Sequence, residues 1–210
     1  GLVLDLRDNP GGLLDQAIKV SDLFLEKGTI VSTVGAGEKM REEKVATKSG
    51  TEPDYPMVVL VNAGSASASE IVSGALQNHK RALVLGDTTF GKGTVQVLYE
   101  FDDGSALKLT IAEYLTPGGV SIQSKGIVPD LRLIPAYLRK DGPVNMFLSD
   151  NVMREADLEA HFSAQGAKVA KDKGVAFLRY LKEGPNPSSE EAMEERKYDD
   201  PNDFERDFQI

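Results

Sequence analysis

The sequence predicts an α/β layered core with a mainly parallel sheet, followed beyond about residue 135 by a helical and irregular extension. Three observations predict it. Short apolar runs of the buried-strand type recur at Leu2–Leu6, Met57–Val61 and Ala82–Leu85. Each runs into a loop of glycine or other small residues, and the first two loops lead into helical periodicity. Finally, the β-rich segments Val95–Phe101 and Ala106–Leu115 flank the turn Asp102-Asp-Gly104. Strand, turn and helix in repetition imply parallel strands joined by crossover helices.

The elements follow in chain order. Leu2, Val3, Leu4 and Leu6 form a first strand so apolar that it reads as the interior of a domain, in a chain cut from a longer protein. The loop Arg7-Asp-Asn-Pro-Gly-Gly12 turns the chain. Leu13, Leu14, Ala17, Ile18, Ser21, Phe24 and Leu25 then recur at helical spacing until Gly28 ends the pattern. Residues 35–56 are polar and rich in Gly, Lys and Glu, which predicts an exposed excursion such as a hairpin. Met57–Val61 leads into Asn62-Ala-Gly-Ser-Ala-Ser-Ala-Ser-Glu70 and a helix with Ile71, Ala75 and Leu76 on one face. Ala82–Leu85 ends at Gly86, ahead of a second glycine loop, Phe90-Gly-Lys-Gly93. Beyond Pro135, the segments around Val152–Phe162 and Val175–Leu181 predict helices. Residues 186–210 carry nine acids against three bases together with Pro187 and Pro201, the composition of a weakly ordered tail. The expected organisation is a core over 1–135, a helical extension over 136–185 and an acidic tail over 186–210.

Composition removes several functions. A net charge of −9 disfavours affinity for nucleic-acid backbone. The absence of cysteine removes disulfides, thiolate–zinc sites and a thiol nucleophile together. The longest clean apolar run, Met57–Val61, is far short of the ~20 residues that cross a bilayer. The opening Gly-Leu-Val-Leu-Asp-Leu lacks the Met and basic leader of a signal peptide. There is no HExxH and no histidine cluster, so no metal or other cofactor is expected.

In an open α/β sheet, chemistry collects where strands end and helices begin. Loops 7–12, 62–70 and 86–94 hold such places. In the second, Ser67 and Glu70 match the S-x-x-E capping box. The same segment also suits a nucleophilic serine at a helix N-terminus, where small neighbours admit a carbonyl and the next N–H faces an oxyanion. Spacing does not choose among Ser65, Ser67 and Ser69. A serine needs a base. His79 lies about 12 residues after Ser67, roughly 18 Å along a helix, which is too far; His161 has no glycine loop around it. Lys92, between Gly91 and Gly93 and beside Phe90 and Val95, is the remaining candidate, because an apolar pocket neutralises an amine. The alternative for this lysine is a solvated turn. Gly86-Asp-Thr-Thr-Phe-Gly-Lys92 also matches G-x-x-x-x-G-K. However, Gly93 stands where a phosphate loop needs Ser or Thr, and a strand follows where it needs a helix, so no nucleotide is expected.

Taken together, Leu4-Asp-Leu-Arg-Asp-Asn-Pro-Gly-Gly12, Gly64-Ser-Ala-Ser-Ala-Ser-Glu-Ile71 and Thr89-Phe-Gly-Lys-Gly-Thr-Val-Gln96 resemble the carboxy-terminal processing peptidases, also called tail-specific proteases. Tyr114-Leu-Thr-Pro-Gly-Gly-Val-Ser-Ile-Gln123 and Gly126-Ile-Val-Pro-Asp130 continue the resemblance, which covers about residues 2–133. It implies a crotonase-like (Clp-protease-like) fold and a Ser–Lys acyl-enzyme mechanism. By resemblance Ser67 is the nucleophile, Lys92 the base and Gln96 its positioner. The oxyanion hole is the N–H of Ala68 with that of Gly11 or Gly12. The family's upstream PDZ domain is absent from the sequence. The implied function is a serine endopeptidase cleaving proteins near their C-termini, in the periplasm or cell envelope. The implied partners are protein or peptide substrates, further copies of the chain or an adaptor protein. Two other readings stand beside it: a non-catalytic scaffold of the same fold that binds peptide C-termini or envelope partners, and a crotonase-type acyl-thioester enzyme. Net acidity and the lack of a basic groove disfavour the last.

Overall fold

The computed structural model describes residues 1–35, 41–137, 153–158 and 175–182. Its first sheet is parallel throughout, in the order β1-β4-β5-β9-β10. These strands are β1 (Leu2–Asp5), β4 (Met57–Val61), β5 (Leu83–Gly86), β9 (Leu131–Tyr137) and β10 (Ala176–Lys182). The alternation of Met57, Val59 and Val61 toward the core explains why β4 sits inside this sheet, with Val59 and Val61 fully enclosed.

A second, antiparallel sheet runs β3-β2-β7-β6, with β8 added on β7. Its strands are β2 (Thr29–Gly35), β3 (Arg41–Val45), β6 (Thr94–Glu100), β7 (Ala106–Thr116) and β8 (Val120–Ser121). The hairpin expected at Val95–Leu115 is therefore the edge of a larger sheet. The polar excursion after residue 35 supplies β3, paired to β2.

Among the described residues there are two α-helices: α1 (Leu14–Asp22), between β1 and β2, and α2 (Ala68–Asn78), between β4 and β5. Every residue of α2 from Ala68 to Leu76 is buried, as a helix without a polar face must be. It touches β5 of the parallel sheet and β2 and β7 of the antiparallel one. Ile71, Val72, Ala75 and Leu76 join Val59, Val61 and Val84 on one side and Ile30, Val31 and Tyr114 on the other in one apolar cluster. Burial of a side chain such as Leu76 contributes about 1.5–3 kcal/mol. This layering puts the C-terminal ends of β1, β4 and β5 at one rim, from which all three glycine loops emerge.

The structure departs from expectation after Pro135. Val175–Leu181 is not helical: Ala176–Lys182 forms β10, in register with Leu131–Tyr137. Seven residues are too few for periodicity to separate helix from strand. The open edge of β9 decides, because its backbone groups supply a ladder that a helix would leave unused. Of Val152–Phe162, the described residues 153–158 contain a single 3-10 turn, Glu155–Asp157; the remainder of that segment, including His161, and the acidic tail 186–210 lie outside the described residues. His79 closes α2 and its Nε2 meets the Thr29 carbonyl oxygen at 2.7 Å, a structural role with no link to the glycine loops.

Candidate active site

Three loops converge at the rim. The Ser65 hydroxyl donates to the Leu6 carbonyl (2.7 Å) and the Ala66 N–H to the Asn9 carbonyl (3.0 Å), which ties loop 62–67 to the end of β1. The Phe90 N–H donates to the Ser65 carbonyl at 3.0 Å, which ties in the lysine loop. Gly11 carries φ +101°, and a methyl group there would lie 2.6 Å from Ala66 O and 2.7 Å from Ala68 N. Only glycine lets the first loop come this close.

The structure separates the three serines that spacing leaves equal. Ser65 is fully buried and its hydroxyl is spent on Leu6. Ser69 is buried inside α2. Ser67 alone keeps access to solvent. It has φ 53° and ψ −115°, a conformation rare for a residue with a side chain. Such a backbone costs on the order of 1–3 kcal/mol and survives only where its surroundings enforce it. Here it stands at a sharp strand-to-helix turn between β4 and α2, the arrangement that presents a nucleophilic hydroxyl.

Ser67 and Glu70 occupy the two ends of a capping box, but the Ser67 hydroxyl makes no cap hydrogen bond. The Glu70 N–H goes instead to the Ser67 carbonyl at 2.9 Å. The Glu70 side chain does much more than cap. It is fully buried, and Oε2 accepts the Ser67 N–H (2.8 Å) and the Lys92 N–H (2.9 Å). Oε1 accepts the Thr89 hydroxyl (2.5 Å) and the Gly91 N–H (2.8 Å). One carboxylate oxygen thus bridges the backbones of the candidate nucleophile and base. Burial pushes the Glu70 carboxyl up to about 7, against the pull of the Thr89 hydroxyl and the three N–H donors. Sequence reasoning missed this role; the S-x-x-E pattern carries the capping signal, but nothing local points to partners some twenty residues ahead.

Lys92 is half-buried. Burial, then the Lys108 charge, hold its amine below the usual lysine range, while Glu155 and Glu70 oppose them. Its loop is pinned through the backbone: the Gly93 N–H donates to Gln123 Oε1 (2.7 Å), and the Gly93 carbonyl accepts the Tyr114 N–H (2.6 Å). Among the described residues, the Lys92 amine is hydrogen-bonded neither to the Ser67 hydroxyl nor to Gln96. Gln96 is exposed on β6, with its amide on Thr110 Oγ1 at 3.4 Å. The N–H of Gly11 donates to Asn9 Oδ1 at 2.9 Å. Those of Gly12 and Ala68 make no hydrogen bond among the described residues. Of the two glycines considered for an oxyanion hole, Gly12 is therefore the one with an unengaged donor. No group of three acidic or histidine residues could hold a metal among the described residues.

Comparison with known proteins bears on these loops directly. Residues 1–133 match peptidase family S41. The chain is 44% identical over 185 residues to a carboxy-terminal-processing protease of Bartonella bacilliformis, covering 88% of this chain and 41% of that protein. It is 47% identical over 144 residues to the carboxy-terminal processing protease CtpA of Bacillus subtilis, covering 66% of this chain and 30% of the relative. A solved photosystem II D1 C-terminal processing protease superposes with a TM-score of 0.59 at 41% identity, over 63% of this chain and 34% of that one. A lipoprotein from Streptococcus agalactiae, 19% identical, superposes with a TM-score of 0.54 over 63% of this chain and 50% of that one, and shows the fold alone. The chain spans less than half the length of the two curated relatives.

Proposed function

We propose that this chain, which belongs to peptidase family S41, carries the catalytic groups of a serine endopeptidase that cleaves proteins near their C-termini. One observation carries the reading: of three serines in the loop, only Ser67 is presented on the strained turn, and Glu70 binds its backbone and that of Lys92 through a single oxygen. In this reading the neutral Lys92 amine takes the Ser67 proton and Oγ attacks the scissile carbonyl. The N–H groups of Ala68 and Gly12 hold the oxyanion, aided by the N-terminal end of the α2 dipole. Lys92 then protonates the leaving amine, and water releases the acyl group. In this mechanism the flexible four-carbon lysine stem carries the amine to the hydroxyl, and Gln96, four residues further along, exchanges its Thr110 contact for the amine and orients it. By the same resemblance the protein acts in the periplasm or cell envelope.

The test is Ser67→Ala in the full-length protein. Cleavage of a peptide substrate falls at least about a thousandfold; undiminished cleavage overturns the assignment. That the Lys92 amine makes no hydrogen bond to the Ser67 hydroxyl also fits a scaffold that binds peptides without turnover. Peptide binding by the wild type with no detectable cleavage favours that second reading.

A further inference from the structure

Far along the chain, residues 153–158 return to the lysine loop. The Glu155 N–H donates to the Phe90 carbonyl at 3.1 Å. Arg154 Nη2 pairs with Asp87 Oδ2 at 3.4 Å, on a carboxylate already held by Arg132 at 2.9 Å. The Glu155 side chain accepts a hydrogen bond from Gln123 Nε2 at 3.1 Å. Gln123 is only 1% exposed, and its other end, Oε1, receives the Gly93 N–H. A line of contacts therefore runs from Glu155 through a buried amide to the residue after Lys92.

We propose that Glu155 is a positioning residue for the Lys92 loop: through Gln123 it fixes Gly93, and it places a carboxylate beside that loop. The inference rests on the reading of Lys92 as the base. The two actions have separate physical origins. Gln123 has two polar ends in a dry site, and without Glu155 its Nε2 donors lose that partner. An amide free to turn over no longer presents Oε1 to Gly93. The charge acts differently. The charged groups that influence Lys92 are Lys108 from β7, Glu70 from α2 and Glu155 from this segment. Lys108 favours the neutral amine, whereas Glu70 and Glu155 favour the charged one. Glu155 thus orders the base loop while restraining the base from shedding its proton.

Two variants of the full-length protein separate these actions. Glu155→Gln keeps an acceptor for Gln123 and removes the charge; Glu155→Ala removes both. The readouts are kcat/KM for a peptide against pH, which reports the free enzyme, and hydrogen exchange at the Gly93 amide. For Glu155→Gln the acidic limb moves to lower pH, activity on that limb rises roughly threefold, and the plateau and Gly93 protection stay at wild-type levels. For Glu155→Ala the plateau falls and Gly93 exchange rises, each about tenfold. An acidic limb unmoved in Glu155→Gln, or a wild-type plateau and wild-type Gly93 exchange in Glu155→Ala, overturns the proposal. Should Glu155→Ala fail to fold, the Glu155→Gln limb still decides. If Lys92→Ala cleaves as well as wild type, the base assignment has failed and the proposal falls with it. If Lys92→Ala is inactive and the Glu155 variants behave as wild type, only the proposal fails.

Discussion

The loop that carries Ser67 and the loop that carries Lys92 are held in different ways. On the serine side, side chains and backbone are fixed together. Asn62 Oδ1 accepts the N–H groups of Asp8 and Gly64, its Nδ2 donates to Asp8 Oδ1, and Ser65 bonds the end of β1. On the lysine side, the backbone is fixed at Gly91, Lys92 and Gly93, but the side chains of Lys92 and Gln96 make no bond to Ser67 or to each other. The difference follows from reach. A serine hydroxyl sits one bond beyond Cβ, so it can be aimed only by aiming the backbone, here at the cost of a positive φ. A lysine amine ends a flexible stem, so its backbone needs to be near and its tip can be placed later.

The largest expected effect tests the flexible side. In the full-length protein, Lys92→Ala lowers peptide cleavage about a thousandfold with folding intact by circular dichroism; retention of activity breaks the comparison, since the mobile tip would then have no chemical task. Glu70→Ala strikes the joint between the two loops. It leaves three N–H groups and the Thr89 hydroxyl without their acceptor and lowers stability on the order of 3 kcal/mol, read as the midpoint of thermal or denaturant unfolding.

The same carboxylate makes stability depend on pH. Folded, it keeps its proton up to about 7, whereas the unfolded group releases it near 4.5. The folded state therefore binds more protons at this group between these values, so the stability that Glu70 contributes is fully present below about 4.5 and is lost as pH rises through about 7. The fall is on the order of 3 kcal/mol and is absent from Glu70→Ala. Stability that stays flat over this range means that the four donors outweigh burial.

Gly11→Ala probes the closeness of the first loop. With φ +101° and Ala66 O 2.6 Å from the added carbon, it costs about 1–3 kcal/mol and lowers cleavage through displacement of Ser67 and Ala68. Gln96→Ala has the smallest effect, less than about tenfold in kcat/KM, because the residue starts on the exposed face and in the proposed mechanism only orients the amine. A loss as large as that of Lys92→Ala would mean that the lysine side is as tightly built as the serine side.

Much of this arrangement is legible from one chain. The apolar runs of β1, β4 and β5 identify themselves because buried parallel strands cannot hide their composition. The glycine loops do so because close backbone approach excludes other residues. The five motifs in order point to the peptidase family. What local pattern leaves open is which member of a set acts. Ser65, Ser67 and Ser69 are equivalent in spacing, and burial alone tells them apart. Glu70 reads as a cap, because its partners at 89–92 come from another loop. Ala176–Lys182 becomes a strand because β9 has an open edge, which no window of seven residues contains. Residue type and periodicity thus carry the strands, the loops and the kind of chemistry, since these depend on near neighbours along the chain. Which hydroxyl faces solvent, which carboxylate joins the serine loop to the lysine loop, and whether Glu155 reaches the lysine loop depend on groups brought together from distant positions, and only the folded packing of the two sheets around α2 sets them.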